Sequence, residues 1–194
     1  MALSWAYATP VEYRHQTDKS DSGDDLTLAR DLEAVSRYLD RELHRPNGFY
    51  QEAGDRIYRL AMPCRELLVD DVVSVSAIAI DSARDGSYAT AVTGYDLEPF
   101  NASSGSEPRP YYVIERMDAY WPAGQRIKVT GVWGWPAVPA AIKDVTIELT
   151  AIWRDESARA TGRLNEVDQL VPLSPIAQGL VRRIKDAYRL WRVM

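Results

Sequence analysis

Cysteine, histidine and phenylalanine are scarce: the 194 residues hold one, two and two of them. A single cysteine, Cys64, excludes an intrachain disulfide and gives secretion no support. It follows Pro63 with no histidine nearby in sequence, which reads as a partly buried, inert thiol. His15 and His44 lie far apart and, with one cysteine elsewhere, make no zinc pattern; both read as surface residues. There is no phosphate-cradling glycine loop, no nucleophile elbow and no HExxH. Long apolar runs are also lacking. Val72–Ile80 is interrupted by Ser74 and Ser76 and is far too short to span a bilayer. The start, "MALSWAYATPVEYRH", lacks a cationic n-region and a long enough apolar run for a signal peptide. These absences predict a soluble, intracellular chain with no membrane partner, no metal, no cofactor and no catalytic centre.

What is present is a balanced globular composition, 46% hydrophobic and 26% charged, at a length that suits one domain with an elaboration. Six Trp and eleven Tyr supply most of the aromatic surface. Such residues join a large apolar body to a polar tip and suit surfaces buried on association, although catalytic clefts use them too. The net charge of −5 argues against a general nucleic-acid binder. It is unevenly spread. Residues 176–194 set Arg182, Arg183, Lys185, Arg189 and Arg192 against Asp186 alone, a balance of +4 that leaves −9 on the other 175 residues. An acidic body with a basic tail suggests a partner for the tail. A solvated last helix with cations favouring its C-terminal end is the plainer reading.

Residues 1–23 end in a polar stretch, within "TDKSDSGDD", and read as a flexible arm. Asp24 or Asp25 can cap a first helix, striped by Leu28, Leu32, Val35, Leu39 and Leu43, that stops before "HRPNGFY". The middle is β-rich. "DRIYRLAM", "LLVDDVVSVSAIAI", "GYDLEPF", "YYVIERM" and "QRIKVTGVW" read as strands, with "ARDGSY" as a hairpin-type turn. In the second of these, Val73, Val75, Ala77 and Ala79 should share one face, and Val72, Ser74, Ser76, Ile78 and Ile80 the other. "NASSGSEPRP" reads as a mobile surface loop. A further helix carries Ile142, Val145, Leu149 and Ile152 towards Ala160. After the connector "TGRLNEVDQLVPLSP", Ser174 and Pro175 open a last helix striped by Ile176, Leu180, Ile184, Tyr188 and Trp191. The fold class is α+β: an N-terminal helix, an antiparallel β-rich middle and two C-terminal helices.

Two features bear on function. Glu115 and Asp118, with Trp121, Trp133 and Trp135 nearby in sequence, fit the parts of a glycosidase, but acid pairs recur by chance among 28 acids. Asp70 and Asp71 read as a solvated strand start or turn. In "GVWGWPAVP", Gly131 and Gly134 flank Trp133 and Trp135, which would share a strand face; Pro136 ends the ladder and Pro139 suits the next helix's first turn. This describes a structural corner locked by aromatic packing. The second reading is a tryptophan platform for a carbohydrate-binding module.

Around this corner the chain resembles the head-to-tail adaptor (head-completion, connector) proteins of long-tailed bacteriophages. The segments that carry the likeness are the leucine-striped first helix, "RLAMPCRELLVDDVVSVSAIAID", "YDLEPFNA" and "IKVTGVWGWPAVPAAIKDVTIELTAIW". The likeness covers roughly residues 24–160, and divides the chain into an arm (1–23), an adaptor core (24–160) and a connector with a basic C-terminal helix (161–194). It implies a non-enzymatic virion protein, made in the host cytoplasm and placed at the head-tail junction. Such adaptors form a homo-oligomeric ring, typically of twelve copies, beneath the portal protein. They extend the DNA channel and meet the next connector or tail protein, while double-stranded DNA passes without specific binding. The family's C-terminal segment commonly reaches towards the portal. That predicts docking through Ile176, Leu180, Arg182, Arg183, Ile184, Lys185, Tyr188, Arg189, Trp191 and Arg192, and a chain ending at Ser174 that still folds. The competing expectation is a helix packed on its own core.

Overall fold

The computed structural model describes residues 5–18, 24–159 and 175–189. The chain falls into two compact units, one formed by Met1–Gly48 with Val138–Met194 and the other by Phe49–Ala137. The first is helical: α1 (Pro10–Thr17), α2 (Asp25–Glu42), α3 (Ala140–Arg159) and α4 (Pro175–Tyr188). The second is an antiparallel sheet of β1 (Glu52–Arg59), β2 (Glu66–Asp81), β3 (Thr90–Val92), β4 (Tyr95–Glu98), β5 (Tyr111–Arg116) and β6 (Arg126–Trp133). The α+β class is as the sequence predicts. In chain order the β-rich segment Phe49–Ala137 lies between the two stretches that make up the helical unit.

Part of the expected arm is α1. Thr9 and Glu12 form a reciprocal capping box, and Pro10 takes the first helical position, where its missing N–H costs nothing. Tyr13 and Ala8 are buried beside Leu28 and Leu32 of α2 and Ile147 of α3. Glu12 also pairs with Lys143 of α3 at 2.9 Å. Its acceptance of the Thr9 amide, and secondarily the Lys143 bond, hold its carboxyl below the usual 4.5. A depressed carboxyl stabilises above its unfolded value, and the contribution is lost as pH falls through the folded value. Glu12→Ala should therefore cost about 1 kcal/mol at neutral pH. The difference from wild type should shrink below pH 4.5 in thermal melts taken across an acid series.

The α2 stripe is buried as expected, at Leu28, Leu32, Val35, Leu39 and Leu43. Asp24 is the N-cap, yet its side chain makes no capping bond. It turns to Arg154 of α3, which also holds Asp31 at 2.6 Å. In α3 the buried set is Ile142, Val145, Thr146, Ile147, Leu149 and Thr150, so the buried surface is wider than the predicted stripe. The two threonines satisfy their hydroxyls on carbonyls four residues back, at 2.7 Å each, which lets polar residues sit inside.

The sheet runs β1-β6-β2-β5-β4, with β3 a short addition to β2 that the sequence did not signal. β2 is the organising strand. Its second half pairs with β6, and its first half pairs with β5. Register shifts between Val72 and Ser74 and between Val75 and Ala77 break strict alternation. Hence Val72, Ile78 and Ile80 are buried while Ser74 and Ser76 are exposed, although the sequence period put all five on one face. The core gathers these three with Leu67, Val92, Ile114, Trp121, Ile127, Val129 and Trp133. "NASSGSEPRP" is tied down more than its composition suggests. Ala102 is buried, Arg109 N–H bonds the Ala102 carbonyl at 2.6 Å, and the Ser103 and Tyr111 hydroxyls meet at 2.8 Å. Of the other two segments expected to be mobile, residues 19–23 and 160–174 lie outside the described residues.

Candidate functional site

The tryptophan corner is built from the end of β6. Trp133 donates its indole N–H to the Gly54 carbonyl at 2.8 Å, under the Arg56 guanidinium 4.4 Å from its ring centroid. Gly134 then adopts φ +107°, and its N–H bonds the Asp71 carbonyl at 2.8 Å. This turn takes Trp135 off the strand path, so the two rings do not share a strand face as their spacing suggested. Trp135 packs edge-on against Phe49 at 5.2 Å and donates its indole N–H to Asp71 Oδ2 at 2.9 Å. Asp71 is therefore an anchor of the corner, and Asp70 pairs with Arg56 at 2.7 Å; neither is merely a solvated strand start. Asp70 also bonds the Tyr58 hydroxyl, whose pKa burial pushes up to about 12. Pro136 offers its carbonyl to the Gln51 amide at 2.7 Å, and the Pro139 carbonyl receives the first amides of α3.

Such packing leaves no flat aromatic surface for a sugar. Trp121, Trp133 and Trp135 are 0%, 2% and 6% exposed, so the platform reading is corrected. Nor do Glu115 and Asp118 form a cleft pair. Asp118 is held by Arg116 at 3.1 Å, whereas Glu115 lies in β5 opposite Glu66 of β2. Truncating a buried tryptophan typically costs about 3–5 kcal/mol. Trp133→Ala should fall in that range, read as a lower denaturation midpoint, with no change in any glycan binding. Cys64 is half-buried, its thiol against the Glu66 carbonyl at 2.8 Å. His15 and His44 are exposed.

Part of the C-terminal helix's apolar stripe is buried within its own unit. Leu180, Ile184 and Tyr188 are buried within its own unit, together with Ala177 and Val181, in a helix that packs on α2 and α3. Lys185 pairs with Glu42 at 3.1 Å, and the buried Arg45 donates Nε–H to the Tyr188 carbonyl. Ile176, Arg182 and Arg183 remain exposed, and Arg189 is half-buried. Trp191 and Arg192 lie outside the described residues.

Sequence reasoning missed a cationic depression at the end of α2. It is open, encloses about 680 Å³, and is lined by Arg37, Asp40, Arg41, His44, Arg45 and Pro46. Part of the signal was legible: Arg37 and Arg41, four residues apart, share a flank of α2, and Arg45 follows just past the helix end. Asp40 is the one carboxylate of this lining. It accepts the Tyr7 hydroxyl and pairs with Arg37 at 2.9 Å. Burial raises its pKa, opposed by the Tyr7 bond and by Arg37 and Arg45. Arg189 donates to His44 Nε2 at 2.9 Å, bringing another cation beside the rim. Arg41 is exposed and has no ion-pair partner among the described residues.

The sheet carries the opposite charge. Register sets Glu66 of β2, Glu115 of β5 and Asp96 of β4 directly across from one another, a row of three carboxylates on one face. In the next row of that face stand Leu68, Val113 and Glu98. Leu68 is 56% exposed. Like charges directly opposite are destabilising in a sheet. Glu66, Asp96 and Glu115 have no salt-bridge partner among the described residues.

No protein-family model matches the chain, and no curated protein sequence matches it. Solved structures do. A chain from the neck of an empty gene transfer agent (GTA) particle, computed with C6 symmetry, is 18% identical at a TM-score of 0.57. One from the neck of the native particle, computed with C12 symmetry, is 19% identical at 0.51. A third, from the virion of the native particle, is 20% identical at 0.52. In all three, the alignment covers 100% of this chain and 95% of the other. At such identity the likeness is one of fold, and this chain shares the fold of those neck and virion chains.

Proposed function

We propose that this protein is a structural component of the neck of a tailed, phage-like particle: a head-to-tail adaptor forming a ring beneath the portal. The observation that carries this reading is the fold likeness over the whole chain to chains of gene transfer agent necks. The C6 and C12 symmetries of those particles support a closed ring here, of a copy number that fits either axis. A rotationally repeated subunit needs two different surfaces that meet head to tail. The partners are then further copies of this chain, the portal above and the next connector or tail protein below, with duplex DNA running through the opening. The acidic body suits that passage, since a like-charged wall does not trap the duplex. The role is architectural, with no catalytic step.

Docking by the C-terminal helix is retained only for the residues its own unit leaves uncovered. Ile176, Arg182 and Arg183 present an apolar point and two cations to an acidic partner such as a portal rim. Deleting the gene from the particle's genome tests the whole reading. The expected product is DNA-filled heads and separate tails. Particles that join heads to tails normally without the protein would overturn it.

A further inference from the structure

The cationic depression and the carboxylate row each carry charge without an ion-pair partner among the described residues: Arg41 in the first, and Glu66, Glu115 and Asp96 in the second. Pairing between neighbouring residues and the helix dipole accounts for some of the cations: Arg37 has Asp40, and a last-turn cation such as Arg41 complements the α2 carbonyls. Arg45 donates to the Tyr188 carbonyl and Arg189 to His44, which leaves Arg41, exposed at the rim, as the arginine of this lining without an ion-pair partner among the described residues. In the row, β-pairing holds three carboxylates across from one another without a compensating cation among the described residues. An external cation would remove that repulsion.

We infer that the depression receives the carboxylate row of a second copy of this chain, making the subunit-to-subunit contact of the ring. This rests on the ring reading and adds the identity of the two faces. The argument for the occupant is charge complementarity. The depression offers Arg41 without a partner, and Glu66, Glu115 and Asp96 lie at a spacing that planar guanidinium groups can span with paired N–H donors. Leu68, exposed beside the row, adds an apolar contact next to the charged ones, the usual arrangement of core and rim. The two faces are different, so their contact is heterologous. Repeated by rotation, it closes a ring instead of stopping at a dimer. A contact so rich in charge also loosens as salt rises, because exposed charges are screened within about 10 Å at 0.1 M.

Charge reversal on full-length protein tests this, with native mass spectrometry and particle imaging as readouts and circular dichroism to verify the fold. Arg41→Glu and Glu66→Arg both change exposed side chains. Each variant alone should lose the ring, because Glu meets Glu in the first and Arg meets Arg in the second. Mixing the two variants should restore rings in which they alternate, and the double variant in one chain should also assemble. If a single variant still forms the wild-type ring, the inferred contact is wrong while the ring reading stands. If both singles fail and neither the mixture nor the double variant recovers, the two faces are not each other's partner. Loss of duplex DNA binding by Arg41→Glu with the ring intact would assign the hollow to phosphate instead. A wild-type chain that forms no ring, alone or in particles, overturns the ring reading and this contact with it.

Discussion

Gly134→Ala is expected to abolish cooperative folding of the sheet unit, while Gly54→Ala leaves it intact or slightly more stable. Gly134 has φ +107°, a conformation that a side chain with a Cβ adopts only under strain. A methyl placed there would stand 1.8 Å from the Tyr50 carbonyl oxygen and 2.8 Å from its carbon, inside any permitted contact. The obstacle is backbone, so no rotamer change relieves it. Moving Gly134 away would break its bond to the Asp71 carbonyl and pull Trp135 from Phe49 and the Asp71 carboxylate. Strain, a lost backbone bond and an unseated indole together place the cost above about 4 kcal/mol, a severe value for one substitution. Native domains hold only about 5–15 kcal/mol in total. At Gly54 nothing lies within 4 Å of the added methyl. Alanine in a strand interior is favoured over glycine by roughly 0.5–1 kcal/mol. Near-ultraviolet circular dichroism and thermal melts separate the two variants. A Gly134→Ala protein that melts within a few degrees of wild type would show that the close approach to Tyr50 is not rigid.

The corner also shows which kind of information a sequence carries. Gly-Trp-Gly-Trp-Pro announced a bend, and both of its indoles are buried. What it could not announce was Asp71. That carboxylate is 64 residues away and becomes a partner only once β2 and β6 are neighbours. The same limit governs the carboxylate row. Glu66, Asp96 and Glu115 look scattered until strand register aligns them. Periodic signals did better, because helix faces depend on local spacing. The α2 stripe is buried at each predicted leucine and valine. In β2 the period failed, since two register shifts put Val72 and Ser74 in different environments. The capping box "TPVE" at the start of α1 is a local signal that the reading of residues 1–23 as an arm did not use. For the last helix, its stripe and its cations were both visible. Only the structure shows that Leu180, Ile184 and Tyr188 of that stripe are buried in a helix packed on α2 and α3 of its own chain.

That last point reverses one expectation with a large effect: a chain ending at Ser174 should lose the helical unit instead of folding without docking. Truncation there removes Ala177, Leu180, Val181, Ile184 and Tyr188, all buried. At about 1.5–3 kcal/mol for each large apolar side chain, the four largest account for roughly 6–12 kcal/mol. The surfaces they cover on α2 and α3 would become exposed. Arg45, itself buried, would lose the Tyr188 carbonyl, and Glu42 would lose Lys185. A loss of this size matches the whole stability of an ordinary domain. Circular dichroism of the truncated chain should show depleted helix, and amides of α2 should exchange far faster than in the full chain. A cooperative melt with α2 still protected would overturn the internal-packing account. The portal contact needs a gentler probe, and the exposed face supplies one. Arg182→Glu with Arg183→Glu touches no buried residue, so the fold and its melting temperature should hold. If those two cations meet an acidic portal, particles carrying the double variant should accumulate as filled heads without tails. Heads and tails that join normally would leave α4 as a purely internal helix.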